Sequence, residues 1–277
     1  MSEPDAATAA TACYRHPDRR SRIRCQRCER VICTECQNPA PVGVHCPECR
    51  ASAAQALPRR PSPVARAFRR GSSTPVVTYT IIAITTIMFV LQWVTQGAVT
   101  QLFAYYAPLT PDEPWRMLTV ALVHSDRSIF HVLINMYSLF VLGTLLERLI
   151  GRSRFLAVYT LSILAGSVAV LWLAPLTVVV GASGGIFGLL GAFFVIQRRL
   201  GGGSIQLVVL IVINLGLGFV IPGVSWQAHV GGLVVGGLAA LVLLRTRRVD
   251  QQRRQATLMA GLGLALVVAT IARFALL

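Results

Sequence analysis

Seven apolar stretches of membrane-spanning length decide what this chain can fold into. A helix needs ~20 apolar residues, with a range of about 17–25, to cross the hydrocarbon of a bilayer. Segments 76–94, 129–147, 155–174, 181–197, 205–221, 225–244 and 257–276 meet that test. Within hydrocarbon, each backbone N–H and C=O must be paired inside its own segment or a closed barrel. The expected fold class is therefore an all-α polytopic membrane protein. Composition agrees, because 54% hydrophobic and 13% charged residues lie outside the range of an ordinary soluble domain. Gly201-Gly202-Gly203 divides the fourth segment from the fifth, and Pro222-Gly223 divides the fifth from the sixth. The stretch 95–128 is long for a membrane connection and holds Trp115, Arg116 and His124.

Charge then sets orientation. All 26 basic residues are arginine, against 11 acids, for a net charge of +15. Thirteen of the arginines precede residue 71. Most others sit in alternate connections: Arg148, Arg152 and Arg154; Arg198 and Arg199; Arg245, Arg247, Arg248, Arg253 and Arg254. Loop arginines mark the cytoplasmic side, so the N-terminus is expected inside and the C-terminus outside a cell membrane crossed seven times. Residues 1–12 lack a basic stretch followed by an apolar run, so no signal peptide is expected. Exclusive arginine usage points to a GC-rich, bacterial genome.

Polar groups inside apolar segments are costly and mark function by default. His131 and Asn135 are four apart in segment two and share a helix face. Glu147 closes that segment and reads as structural, pairing an arginine or capping backbone. His229 lies in segment six, and Ser183 opens segment four within GASGG. Each has a bland reading: serine as packing or backbone bonding, histidine and asparagine as interhelical glue. Together they carry chemistry. A serine at a helix N-terminus lies among unpaired N–H groups at the positive dipole end, where an oxyanion is stabilised. His229 can take its proton. Gly231, Gly232, Gly236 and Gly237 form small-xxx-small patterns that let segment six pack on segment four. No intramembrane Asp is available as a third member, so a Ser–His dyad is what the inventory permits.

GASGG with Ser183, HVLINM with His131 and Asn135, Gly143 and Glu147 in GTLLE, AHVGG with His229, and Trp115-Arg116 in the first long loop resemble the rhomboid intramembrane serine proteases. The resemblance covers about residues 76–245. It implies a six-helix core with a seventh helix added after it. Ser183 would be the nucleophile and His229 the base, with His131, Asn135 and the Ser183 N–H as oxyanion hole. Phe187, one turn after Ser183, would pack on the catalytic histidine, with Gly181 beside the serine. Substrates would be transmembrane helices of other proteins, cut near their outer end and often after a small residue. No cofactor is expected for the chemistry. His124, seven residues before His131, is assigned none. Some members of that family lack the dyad and only bind clients; a catalytically silent adaptor for client helices and a cytoplasmic partner is therefore the rival. A transporter fits less well, for want of repeated broken helices and intramembrane ion ligands.

Ahead of the membrane segments lies a cysteine module. Cys13-x2-His16, Cys25-x2-Cys28, Cys33-x2-Cys36 and Cys46-x2-Cys49 supply eight ligands, enough for two tetrahedral structural zinc ions. Disulfides are disfavoured by an odd cysteine count and a reducing cytoplasm. His45 competes with the fourth pair. Short intervals favour interleaving, with Cys13/His16 joined to Cys33/Cys36 and Cys25/Cys28 to Cys46/Cys49, in a B-box-like or cross-braced finger. Arg15, Arg19, Arg20, Arg22, Arg24, Arg27 and Arg30 make it basic. Anionic lipid headgroups or a protein partner suit it, and nucleic acid ranks low because no base-reading helix is present. The expected domains are a disordered 1–12, the zinc module at 13–50, a Pro/Arg-rich linker at 51–75, the core at 76–245, and a basic loop with the seventh helix at 246–277.

Overall fold

The computed structural model describes residues 11–56, 74–202, 205–221 and 223–276. The expected disordered start and the linker lie mostly outside the described residues, as do Gly203 and Pro222. The rest separates into the described parts of two compact units, Met1–Pro61 and Ser62–Leu277.

The small unit has two minimal hairpins. Strand β1 (Thr11–Ala12) pairs antiparallel with β2 (Arg20–Ser21), and β3 (Asn38–Pro39) with β4 (Val44–His45). Helix α1 (Pro47–Ala56) follows. Its buried core is almost entirely cysteine, with Ile32 the one fully buried aliphatic residue among those described.

Among the described residues of the large unit, seven long helices overlap the seven expected segments. They are α2 (Val76–Val94), α5 (Ile129–Ile150), α6 (Arg152–Leu173), α7 (Ser183–Arg199), α8 (Ile205–Val220), α9 (Trp226–Arg245) and α10 (Gln252–Ala275). Short helices α3 (Ala98–Phe103) and α4 (Arg116–Thr119) lie in the long connection after α2. The chain is thus an all-α, multi-pass membrane fold. Helix α10 begins five residues before its expected start, at Gln252, and takes in Arg253 and Arg254, because hydropathy stops at charges while a helix can run on past them. Among the described residues, five helices are long and apolar enough to cross a membrane. At 17 and 16 residues, α7 and α8 are shorter than the expectation of seven full spans. Helix α7 is about 25 Å long at 1.5 Å per residue, against a hydrocarbon core of roughly 30 Å.

Helix α7 is the centre of the bundle, and α9 packs most extensively on it, then on α6. Glycine makes this possible. A Cβ at Gly232 would stand 1.9 Å from the Gly184 carbonyl oxygen, and one at Gly236 would stand 2.1 Å from that of Gly188. The other two glycines of the pattern differ. Gly231 faces the Ala165 carbonyl on α6, and Gly237 has ordinary space beside Val195.

Glu147 is buried at the far end of α5 from the histidine, where it caps α2. Its carboxylate accepts from the N–H of Val77 at 3.0 Å and from the N–H and hydroxyl of Thr78, both at 2.7 Å. Arg116 is buried in the first loop, donating to the Ala104 carbonyl at 2.9 Å and also to the Gln101 carbonyl and Glu113. Trp115 beside it is half exposed and lines no cavity near Ser183.

Candidate active site

The turn that delivers Ser183 is held from three sides. Gly181 adopts φ +124°, a region open to glycine at little cost. Its N–H donates to the Val120 carbonyl at 2.9 Å. Tyr105 and Val179 exchange both backbone hydrogen bonds, at 2.9 and 2.8 Å, fastening the first loop to the approach to α7. The Ala182 N–H donates to Nε2 of His124 at 3.3 Å. His124 is itself clamped, with its backbone bonded on both sides by the buried Gln92 amide at 2.7 and 3.0 Å. Sequence reading left His124 without a task and passed over Gln92. The available signal was a glutamine inside the first apolar segment, where an unpaired amide would be expensive.

Helix α7 then starts at Ser183, whose N–H belongs to the first turn that has no intrahelical partner. Its Oγ lies 2.9 Å from Nε2 of His229 on α9. The Phe187 ring stacks on the imidazole with centroids 4.0 Å apart and planes 8° from parallel. His229 Nδ1 is buried without a hydrogen-bond partner among the described residues, so stacking rather than a carboxylate orients this ring.

His131 and Asn135 line the same cavity as Ser183 and His229. The Ser125 N–H donates to His131 Nδ1 at 3.3 Å, which leaves the proton on Nε2 as a donor. That Nε2 is 3.0 Å from where a Cβ on Gly181 would stand, so only glycine leaves the imidazole open to the serine. Asn135 Nδ2 donates one proton to the His131 carbonyl at 2.8 Å and has a second available. The cavity measures about 390 Å³. Its outer wall comes from α5, through Tyr137 and Ser138, and from α8, through Leu210, Asn214 and Leu217. The polar Ser138 and Asn214 were not anticipated. A second space of about 20 Å³, room for one water or a methyl-sized group, lies on the other side of Ser183 against Gly166 and Ser167. The cavity thus brings together one hydroxyl, two imidazoles and an amide.

The small unit gathers two clusters, Cys13/His16/Cys33/Cys36 and Cys25/Cys28/Cys46/Cys49. In each, the ligand atoms lie within 4.8 Å of one another. This is the interleaved pairing, and His45 stays outside both. Burial pushes the Cys13 and Cys25 thiols up, but backbone N–H donors outweigh it and bring both down to about 6. Burial and neighbouring cysteines push Cys36 up to about 11 and Cys49 up to about 12. Three or four thiolates so close ionise together only beside a cation, and the two donor sets suit a tetrahedral one.

Comparison with known proteins gives the same direction. Residues 111–246 match the Rhomboid domain family. Rhomboid protease GluP of Bacillus subtilis (strain 168) is 35% identical over 190 residues, 65% of this chain and 36% of that protein. RHOMBOID-like protein 4 of Arabidopsis thaliana is 36% identical over 140 residues, 48% of this chain and 35% of that protein. The chain therefore spans only about a third of these two relatives. Of the putative rhomboid protease YdcA of Bacillus subtilis (strain 168), it covers 70%, at 33% identity over 141 residues and 49% of this chain. With a domain match that contains Ser183, His131, Asn135 and His229, and with YdcA matched over most of its length, the chain belongs to the rhomboid family.

Proposed function

We propose that the chain is an intramembrane serine endopeptidase that cuts transmembrane segments of other membrane proteins. The observation that carries this is the 2.9 Å contact between Ser183 Oγ and His229 Nε2 at the wall of a cavity among apolar helices. Two relatives that bear the name rhomboid protease support it.

In this reading His229 Nε2 takes the hydroxyl proton as Ser183 Oγ bonds to the scissile carbonyl carbon. The oxyanion is met by the Ser183 N–H, His131 Nε2–H and Asn135 Nδ2–H. Collapse breaks the C–N bond, and His229 gives its proton to the leaving amine. A water, deprotonated by His229, then cleaves the acyl ester and restores Ser183. Phe187 holds the imidazole in plane and attracts its cationic form through the ring face. Helix α7 is shorter than the hydrocarbon core, so with Arg198 and Arg199 at one interface Ser183 lies below the opposite one, within reach of outside water.

The arginine-rich helix ends and the N-terminal module are assigned to the cytoplasm of a bacterial cell, and the C-terminus to the outside. The two cysteine clusters are assigned one structural zinc each. Anionic lipid or a cytoplasmic protein is the partner proposed for the module.

The test is labelling of the detergent-solubilised chain with a fluorophosphonate. Labelling of the wild type, lost in Ser183→Ala and in His229→Ala, is the expected result. A folded wild type that neither labels nor cuts a transmembrane test substrate would leave the silent adaptor as the reading.

A further inference from the structure

At the end of α7 remote from Ser183, the ends of α5, α6, α9 and α10 enclose another cavity, of about 310 Å³. Most of its wall is aliphatic, including Ile150, Leu200 and Leu244. The rest is Arg154, Arg247 and Gln255. Gln255 is buried, and its amide is fully committed. Nε2 donates to the Thr246 carbonyl and hydroxyl, both at 2.9 Å, while Oε1 accepts from Arg154 Nε at 2.7 Å. The Arg154 guanidinium is thereby held by one edge, and its terminal N–H groups have no protein acceptor among the described residues. Arg247 is exposed and has no carboxylate within ion-pair distance among those residues. The acids nearby are engaged elsewhere, Asp250 with Arg248 at 3.1 Å and Glu147 with the first turn of α2.

Two guanidiniums without counter-charge thus share one aliphatic cavity at a helix-bundle end. A free inorganic anion would satisfy the arginines and leave the wall bare. A neutral apolar molecule would do the reverse. An amphiphile with a phosphate head and an acyl tail satisfies both, and arginine binds phosphate through paired N–H groups. We propose that this cavity is a binding site for one anionic phospholipid, its phosphate between Arg154 and Arg247 and its first acyl methylenes along the aliphatic wall. The seventh helix, α10, completes the site by supplying Gln255, so lipid would fasten that helix to the core.

Native mass spectrometry of the full chain, titrated with phosphatidylglycerol or phosphatidylcholine, tests this. The wild type should retain one phosphatidylglycerol with a preference of roughly tenfold or more over phosphatidylcholine. The Arg154→Gln/Arg247→Gln variant should lose that preference, and Arg253→Gln/Arg254→Gln, outside the cavity, should keep it. An unchanged preference in the first variant, or equal loss in both, would overturn the proposal. So would displacement of the lipid by millimolar inorganic phosphate, which would make this a site for free anions. Should the first variant fail to fold, Arg247→Gln alone alters an exposed side chain. It is expected to weaken the preference severalfold, and no change there also refutes the site.

Discussion

Around Ser183 each side chain has one physical task, and each task can be tested singly. Among the described residues no acid bonds His229 Nδ1, so its orientation depends on the Phe187 ring stacked 4.0 Å away. An aromatic contact of this kind contributes about 0.5–1.5 kcal/mol. Phe187→Leu should therefore slow fluorophosphonate labelling by up to roughly tenfold, and Phe187→Tyr should leave it near wild type. In the proposed mechanism Asn135 contributes a donor whose bond strengthens only as the oxyanion forms. Asn135→Ala should lower kcat by about 10²–10³-fold with KM little changed, measured on a cleaved transmembrane substrate. Glu147 belongs to stability instead. Glu147→Ala strips three bonds from the buried start of α2, at about 1–3 kcal/mol for each donor left unsatisfied. Thermal unfolding in detergent should drop sharply, while the labelling rate of the protein still folded at low temperature stays close to wild type.

Between α7 and α9 the geometry of the dyad becomes a matter of helix separation. His229 and Gly232 are on one turn of α9, and the backbone at Gly232 meets the backbone at Gly184, one residue beyond the serine. A methyl group at 232 has nowhere to go, because the obstacle is a carbonyl rather than a flexible side chain. Gly232→Ala should destabilise the bundle by about 1–3 kcal/mol and push His229 away from Ser183, lowering labelling. Gly237→Ala, with its nearest neighbour 3.6 Å off, should change neither melting temperature nor labelling. Sequence showed four glycines of equal standing. Which helix each one faces follows from the rotation of α9 about its axis, and periodicity alone does not reveal that. The same holds for Gln92 and His124. Their pairing joins residues 32 positions apart through the folded first loop, a contact no local pattern encodes.

For the whole molecule, the two units have separate cores. No residue of the cysteine cluster belongs to the core of the helical unit. A strong chelator should thus release about two zinc ions per chain and unfold the small unit, read by metal analysis and limited proteolysis. Labelling of Ser183 should persist. Much of this organisation was legible beforehand. Helix number and order follow from hydrophobic runs alone, because hydrocarbon forces every backbone bond into its own helix. The Cys/His pairs were visible because two-residue spacing lets both side chains of a pair reach toward one point. Ser183, His131, Asn135 and His229 stood out because polar groups are rare where solvation is absent. What the tertiary structure alone decided is distance and direction. The Ser183–His229 contact, the Nε2 donor of His131, the capping task of Glu147 and the exclusion of His45 all depend on how elements far apart in sequence are turned toward one another. That rotation is set by close packing over whole helix faces, so no short stretch of sequence contains it.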